Sequence, residues 1–219
     1  MEPKNMMKTL ADALGFTFRE GIDAFVESEF LQKMLDQQNI PAVAGILQNE
    51  LVRAMLAKVF IGAAVGSYRD YESFVMFTAH PNPKKTQVPT IQIFLAFPKP
   101  FSHGLEIRPL AFGDRFLSFF GLGNRIYTGD RNLDGILMIT ARDQPEVCRL
   151  VSPQSVQKSL LQVFENQTAA KVADFGVGRS EPADTDPLER ARSSLKLQAD
   201  LADALFGRSD GNSSGEFSH

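Results

Sequence analysis

The feature that most constrains this chain is the run from Val59 to Ile107, where one strand pattern follows another with only turns or a short loop between them. Val59 to Ser67 is apolar and small, and Tyr71 to Thr78 contains Phe74-Val75-Met76-Phe77. Thr90 to Phe97 alternates, with Ile91, Ile93, Leu95 and Phe97 on one side. Arg69-Asp70 supplies a turn, His80-Pro81-Asn82-Pro83-Lys84-Lys85 a Pro-rich loop, and Leu105-Glu106-Ile107 a fourth strand. Consecutive strands joined this closely predict an antiparallel meander.

Helical spacing brackets that run. Met7, Leu10, Ala11 and Leu14 share one face of a helix over Met6–Leu14, which Gly15 ends. Ile22, Phe25, Val26, Phe30 and Met34 predict a second helix from Ile22 to Gln37, and Leu47, Leu51 and Met55 favour helix within Ala42–Leu56. Phe112, Phe116, Phe119 and Phe120 fall at i, i+4, i+7 and i+8 of a helix over Phe112–Leu122. Ile136–Ile139 reads as a buried strand and Val172–Val177 as one more. Asp143 with Pro145, and Ser152 with Pro153, each place a capping residue ahead of a first-turn proline. Val156, Leu160 and Phe164 line the second of these helices. Arg179 to Asp186 reads as a solvated acidic loop, and Asp186-Pro187-Leu188-Glu189 as a capping box that opens the last helix.

The order predicts an α+β fold: a mainly antiparallel sheet from the middle of the chain, covered on one face by N- and C-terminal helices. A single domain over residues 6–206 and a disordered tail over 207–219 are expected. Strands and helices do not alternate strictly, Gly121-Leu122-Gly123 lacks the third glycine of a dinucleotide fingerprint, and no G-x-x-x-x-G-K-[ST] occurs. No nucleotide cofactor is expected.

Composition narrows the partners. Eighteen Phe and no Trp point to a Phe-built core. A net charge of −3 gives no electrostatic footprint for nucleic acid, and the lysine pair Lys84-Lys85 sits among prolines. The lone Cys148 makes no internal disulfide and fits a reducing compartment. The first residues carry charge without an apolar core, so no secretory signal is expected, and Lys58 interrupts the longest apolar run, Ala54 to Val65. The expected location is cytoplasmic, with peripheral contact to a membrane as a second option, and the expected partner is a protein.

Candidate chemistry is sparse. His80 and His103 flank the Thr90–Phe97 strand, and His219 ends the sequence, with no metal-ligand spacing among them and Cys148. Cys148 beside Val147 and Leu150 reads as a small core or half-buried residue. Asp130 and Asp134 in Arg125–Gly135 offer paired carboxylates for acid–base work or a hard cation. Asp130–Gly135 looks like the first half of a calcium loop, but the twelfth position is Ala141 rather than a bidentate glutamate, and a structural turn is the simpler reading. The Phe112–Leu122 helix, through Phe116 and Phe120, could meet a membrane surface or partner, although core packing is its ordinary use. The preferred function is a non-catalytic interaction or scaffold domain. A metal-dependent hydrolase using Asp130 and Asp134, with His103 as a further candidate, and a carrier of an apolar ligand or lipid are the alternatives.

Gly66-Ser67-Tyr68-Arg69-Asp70-Tyr71, Gly104-Leu105-Glu106-Ile107-Arg108, and Thr128-Gly129-Asp130 followed by Leu133-Asp134 occur in an order that resembles an uncharacterised bacterial domain. In that family a G-D-x-x-[FL]-D turn precedes a strand, and the domain often follows a pair of transmembrane helices or stands in short cytosolic proteins. Leu10–Phe16 and Leu201–Leu205 resemble its two ends, so the likeness spans roughly residues 8 to 206. It implies bacterial origin and an α+β fold, and carries over no catalytic residue.

Overall fold

The computed structural model describes residues 3–28, 49–57, 60–78, 90–111, 114, 125–165, 169–183 and 186–208. His80, Phe116, Phe120, His219 and the predicted Phe112–Leu122 helix apart from Asp114 lie outside them, as does the expected tail beyond Arg208.

The elements run α1 (Pro3–Leu14), β1 (Thr17–Glu20), α2 (Gly21–Val26), α3 (Glu50–Ala57), β2 (Phe60–Tyr68), β3 (Tyr71–Thr78), β4 (Thr90–Ala96) and β5 (Glu106–Pro109). They continue α4 (Arg131–Ile136), β6 (Leu137–Thr140), α5 (Gln144–Val151), α6 (Gln154–Phe164), β7 (Ala170–Ala173), β8 (Gly176–Pro182) and α7 (Pro187–Leu205). All eight strands join one antiparallel sheet in the order β1-β2-β3-β4-β8-β7-β5-β6. The α+β class read from the sequence is the class of the structure, and the expected meander is β2-β3-β4, with β1 added ahead of it.

Alternation assigns each strand residue to a face. Val75, Phe77, Ile91 and Ile93 meet Met7, Leu10, Ala11 and Leu14 of α1 and Ala191 and Leu195 of α7 in one core. Leu95, Ile107, Leu137, Ile139, Val172 and Val177 meet Val147 and Val151 of α5, Leu160 and Val163 of α6, and Ala199, Ala202 and Leu205 of α7 in another. Helix α7, 19 residues long, therefore bridges both. The expectation of cover on one face is incomplete: Phe25 and Val26 of α2 pack on the opposite face against Phe60, Ala63, Val65 and Phe74. These side chains are apolar on both sides of β2 and β3, so each side needs its own cover.

Four local readings change. The helix expected over Ile22–Gln37 is interrupted after Val26, where Glu27 caps it and Ser28 turns its hydroxyl back to donate to Phe25 O at 2.6 Å; its remaining part, 29–37, lies outside the described residues. Ser152 does not open α6; its hydroxyl donates to Cys148 O at the end of α5, and Pro153 takes the N-cap place. Val172–Val177 is not one strand, because Asp174-Phe175 turns the chain between β7 and β8. Arg179–Asp186 does not loop out: its first residues continue β8, with Arg179 7% and Glu181 5% exposed. Asp143 and Asp186 cap as expected, accepting from Glu146 N at 3.2 Å and Glu189 N at 3.0 Å.

Arg179 and Glu181 share the helix-facing side of β8, and Arg179 Nη2 lies 2.8 Å from Glu181 Oε1. Ser194 Oγ of α7 donates to the same carboxylate at 3.0 Å, and Gln198 Nε2 donates to Ile93 O at 3.0 Å. Arg179 Nε and Nη1 and Gln198 Oε1 find no hydrogen-bond partner among the described residues. Burial pulls the Arg179 pKa below its ordinary value, and Glu181 opposes that pull.

The hairpin β2–β3 is tied to α7 by a second clamp. Arg69 and Asp70 both take positive φ, 48° and 67°, as a two-residue turn of type I′ requires. Neither is glycine, so the backbone is strained there. Arg69 Nη1 meets Asp200 Oδ1 at 2.6 Å and Tyr71 Oη donates to Asp203 Oδ1 at 2.6 Å.

Breaking the buried pair and replacing it should separate in chemical denaturation. Glu181→Gln leaves the buried arginine uncompensated and should destabilise by about 3–5 kcal/mol. Arg179→Met with Glu181→Leu should be neutral or stabilising by about 1–4 kcal/mol, because the buried charges go and with them the two unsatisfied nitrogens of Arg179. A double variant as unstable as Glu181→Gln would show that the pair contributes more than its own neutralisation.

Candidate functional site

The second face of the sheet holds the most site-like feature among the described residues. Register aligns Phe74 of β3 with Phe94 of β4, Phe94 with Gly178 of β8, and Gly178 with Lys171 of β7. The next row aligns Met76, Gln92 and Ser180. Gly178 thus leaves a gap in a row of large side chains. The strands on either side of it lie roughly 10 Å apart, two strand spacings. The result is a trough of about 400 Å³. Phe74, Met76 and Phe94 form an apolar end, and Gln92, Lys171 and Ser180 a polar one.

Aromatic contacts fix the apolar end. Phe94 stacks on Phe74 with centroids 5.0 Å apart, and Phe74 meets Phe25 edge-on at 5.3 Å. Phe25 in turn stacks on Phe60 at 5.6 Å. The Phe94 ring also leans over Gly176, where an added Cβ would come within 2.6 Å of its Cζ and 2.4 Å of Leu95 O. At Gly178 the nearest atom to such a Cβ is Phe94 Cδ2, at 3.8 Å. One glycine is required for close approach, whereas the other keeps the trough open.

Beyond the polar end, charges alternate across the face. Lys171 Nζ lies 3.2 Å from Glu106 Oε1, and Arg108 Nε 3.7 Å from the same oxygen. Arg108 grips Asp114 with both ends of its guanidinium, at 2.6 and 2.8 Å, and Ala111 N donates to Asp114 Oδ2 at 2.8 Å. The hydrogen bonds from Arg108 hold the Asp114 pKa down at about 2.

The residues singled out in the sequence sit elsewhere. Asp130 caps α4, its Oδ1 accepting from Asn132 N at 2.7 Å and Leu133 N at 3.2 Å. Asp134 Oδ1 accepts from Thr128 N at 2.8 Å and Thr128 Oγ1 at 3.0 Å, while Oδ2 accepts from Gly129 N at 3.1 Å. Both carboxylates are used to close the Thr128–Asp134 turn. His103 Nδ1 lies 3.7 Å from Asp143 Oδ2, with the ring stacked on Phe101. No hydrogen bond or ion pair among the described residues joins it to Asp130 or Asp134. Cys148 is half-buried beside the larger core. Among the described residues, no group of three or more His, Cys, Asp or Glu is placed to hold a metal ion, and no helix is long and apolar enough to cross a membrane.

The sequence reading missed the trough because no single strand carries it. Its lining comes from β3, β4, β7 and β8, and the β8 contribution is the absence of a side chain. The one signal present was the Gly-x-Gly alternation of Gly176 and Gly178 in an otherwise apolar and polar strand.

No family model matches this sequence, and no curated protein sequence matches it. Among solved structures, the chain is similar to the crystal structure of the mycobacterial trehalose monomycolate transport factor A. The two share 11% identity at a TM-score of 0.52, over 92% of this chain and 93% of the other. At that identity the likeness establishes the fold.

Two measurements check the site. Gly176→Ala should destabilise by about 1–3 kcal/mol through overpacking, and Gly178→Ala should be tolerated. Equal losses at both positions in urea unfolding would contradict the geometry. Asp114 has a folded pKa below its unfolded value near 3.9, so its contribution is complete above about pH 4 and disappears as pH falls through about 2. Asp114→Asn should lower the melting temperature at neutral pH, with the difference from the parent protein closing on acidification through that window. A difference that persists unchanged at pH 2 would refute the assignment.

Proposed function

We propose that this protein is a non-catalytic binding domain whose sheet takes the apolar chain of an amphiphile, such as a lipid, in the trough at Gly178. The observation that carries the reading is the gap in the Phe94–Gly178–Lys171 row, apolar at one end and polar at the other. Its volume falls within the range of about 300–1,000 Å³ typical of ligand sites. An alkyl chain against Phe74, Met76 and Phe94 gains roughly 0.8 kcal/mol per buried methylene. Gln92, Ser180 and Lys171 offer hydrogen bonds to a polar head at the other end.

The binding surface is an open furrow; the helix-facing cores are filled by side chains that are almost wholly buried. The fold neighbour is named for transport of a lipid, trehalose monomycolate, and that name agrees with this reading. The resemblance to the uncharacterised bacterial domain, whose turn motif falls on Thr128–Asp134, belongs to the same proposal as a statement of ancestry.

The test uses cis-parinaric acid fluorescence with the intact chain. Gly178→Val should preserve the fold, since valine suits a strand and its Cβ meets only an ordinary contact. It should weaken binding about tenfold, the equivalent of two lost methylene contacts. Absence of binding by the parent chain, or unchanged binding by a folded Gly178→Val variant, would falsify the proposal.

A further inference from the structure

On the helix side of the sheet, away from the trough, α6, α7 and the Arg69-Asp70 turn enclose a groove of about 750 Å³. Its lining includes Arg69, Lys158, Lys196 and Arg208 against two carboxylates, Asp200 and Asp203. The whole chain carries −3, so a groove with four cations to two anions is a local reversal of sign rather than a sample of the surface. Like charges gathered on facing elements repel one another, and a bound anion relieves that repulsion.

The fold places the two arginines. Arg69 stands in the strained type I′ turn and is held by Asp200 Oδ1 at 2.6 Å, with Asp203 Oδ2 at 3.6 Å. Arg208 follows a Schellman ending of α7: Gly207 takes φ +66°, Gly207 N donates to Ala204 O at 3.3 Å and Arg208 N to Asp203 O at 2.8 Å. That turn brings its guanidinium over the Tyr71 ring, 5.4 Å from the centroid. Tyr71 donates to Asp203 Oδ1, which engages one of the two acids. Asp200 and Asp203 are thereby committed to Arg69 and Tyr71. Lys158 of α6 and Lys196 of α7 have no ion-pair partner among the described residues, and both are exposed.

We infer that this groove binds a phosphate group, with Lys158 and Lys196 as its principal ligands and Arg208 at its end. Phosphate fits because its three oxygens accept from several ammonium and guanidinium donors at once, and its charge matches the excess of two cations. The phosphate belongs either to a small soluble molecule or to a lipid headgroup, and the experiment distinguishes the two.

Inorganic pyrophosphate is titrated into the intact chain by calorimetry, and vesicles of phosphatidylcholine alone or equimolar with phosphatidic acid are tested by co-sedimentation. The double variant Lys158→Ala, Lys196→Ala touches neither clamp and should fold normally by circular dichroism. It should weaken binding roughly tenfold or more, and added salt should weaken the parent chain in the same direction. Pyrophosphate binding without vesicle binding identifies a soluble ligand; phosphatidic acid vesicles bound in preference to phosphatidylcholine identify a headgroup. Failure of the parent chain to bind either probe, or equal binding by the folded double variant, overturns the inference. So does poly-glutamate binding as tightly as pyrophosphate, since the groove would then select charge rather than phosphate. Neither variant position lies in the Gly178 trough, so loss of alkyl-chain binding there leaves this result unaffected.

Discussion

Where α7 crosses β8, the sheet offers it Arg179 and Glu181 instead of apolar side chains. A helix that bridges two hydrophobic cores would ordinarily be interrupted by two charges beneath its middle. Here each charge neutralises the other, Ser194 donates to the carboxylate, and Gln198 reaches past them to a β4 carbonyl. Ala191 and Leu195 can then belong to one core while Ala199, Ala202 and Leu205 belong to the other. The rest of the helix side depends on this seam, since α1 packs against one end of α7 and α6 against the other.

The far end of α7 carries a second consequence of the same placement. Once the helix lies along the sheet, Asp200 and Asp203 come beside the β2–β3 turn and hold a strained Arg69 and the Tyr71 phenol. The strain at two positive-φ residues is tolerable because contacts more than a hundred residues distant in sequence over-determine it. The two faces of the sheet then differ in kind. One is closed by packed helices and bears a cationic groove on its outer surface. Among the described residues, the other is covered by α2 near β2 and β3, and toward β8 it exposes the furrow that a glycine creates. Among the described residues, Asp130 and Asp134 are engaged in the Thr128–Asp134 turn, and Asp143 and Asp186 in helix caps.

Much of the fold was legible from local pattern. The alternation of Thr90–Ala96, the turn at Arg69-Asp70, and the caps Asp143 and Asp186 each depend on residues within one element. One error fell where distant partners decide, and others on local bonds. Arg179-Ser180-Glu181-Pro182 reads as loop because lone charges avoid cores, and only α7 and β4 make their burial tolerable. The break after Val26 escaped the periodicity, which continues past it, because a local hydroxyl-to-carbonyl bond ends the turn.

The sequence by itself determined the class of the protein: a meander that must pair antiparallel, with amphipathic helices before and after it. Tertiary structure alone decided which polar residues are buried, which glycine is a necessity and which is an opening, and which cations share a groove. The physical reason is range. Hydrogen-bonding pattern and hydrophobic period act over a few residues, whereas desolvation, close approach and charge reversal depend on what strands and helices far apart in the chain bring to the same place.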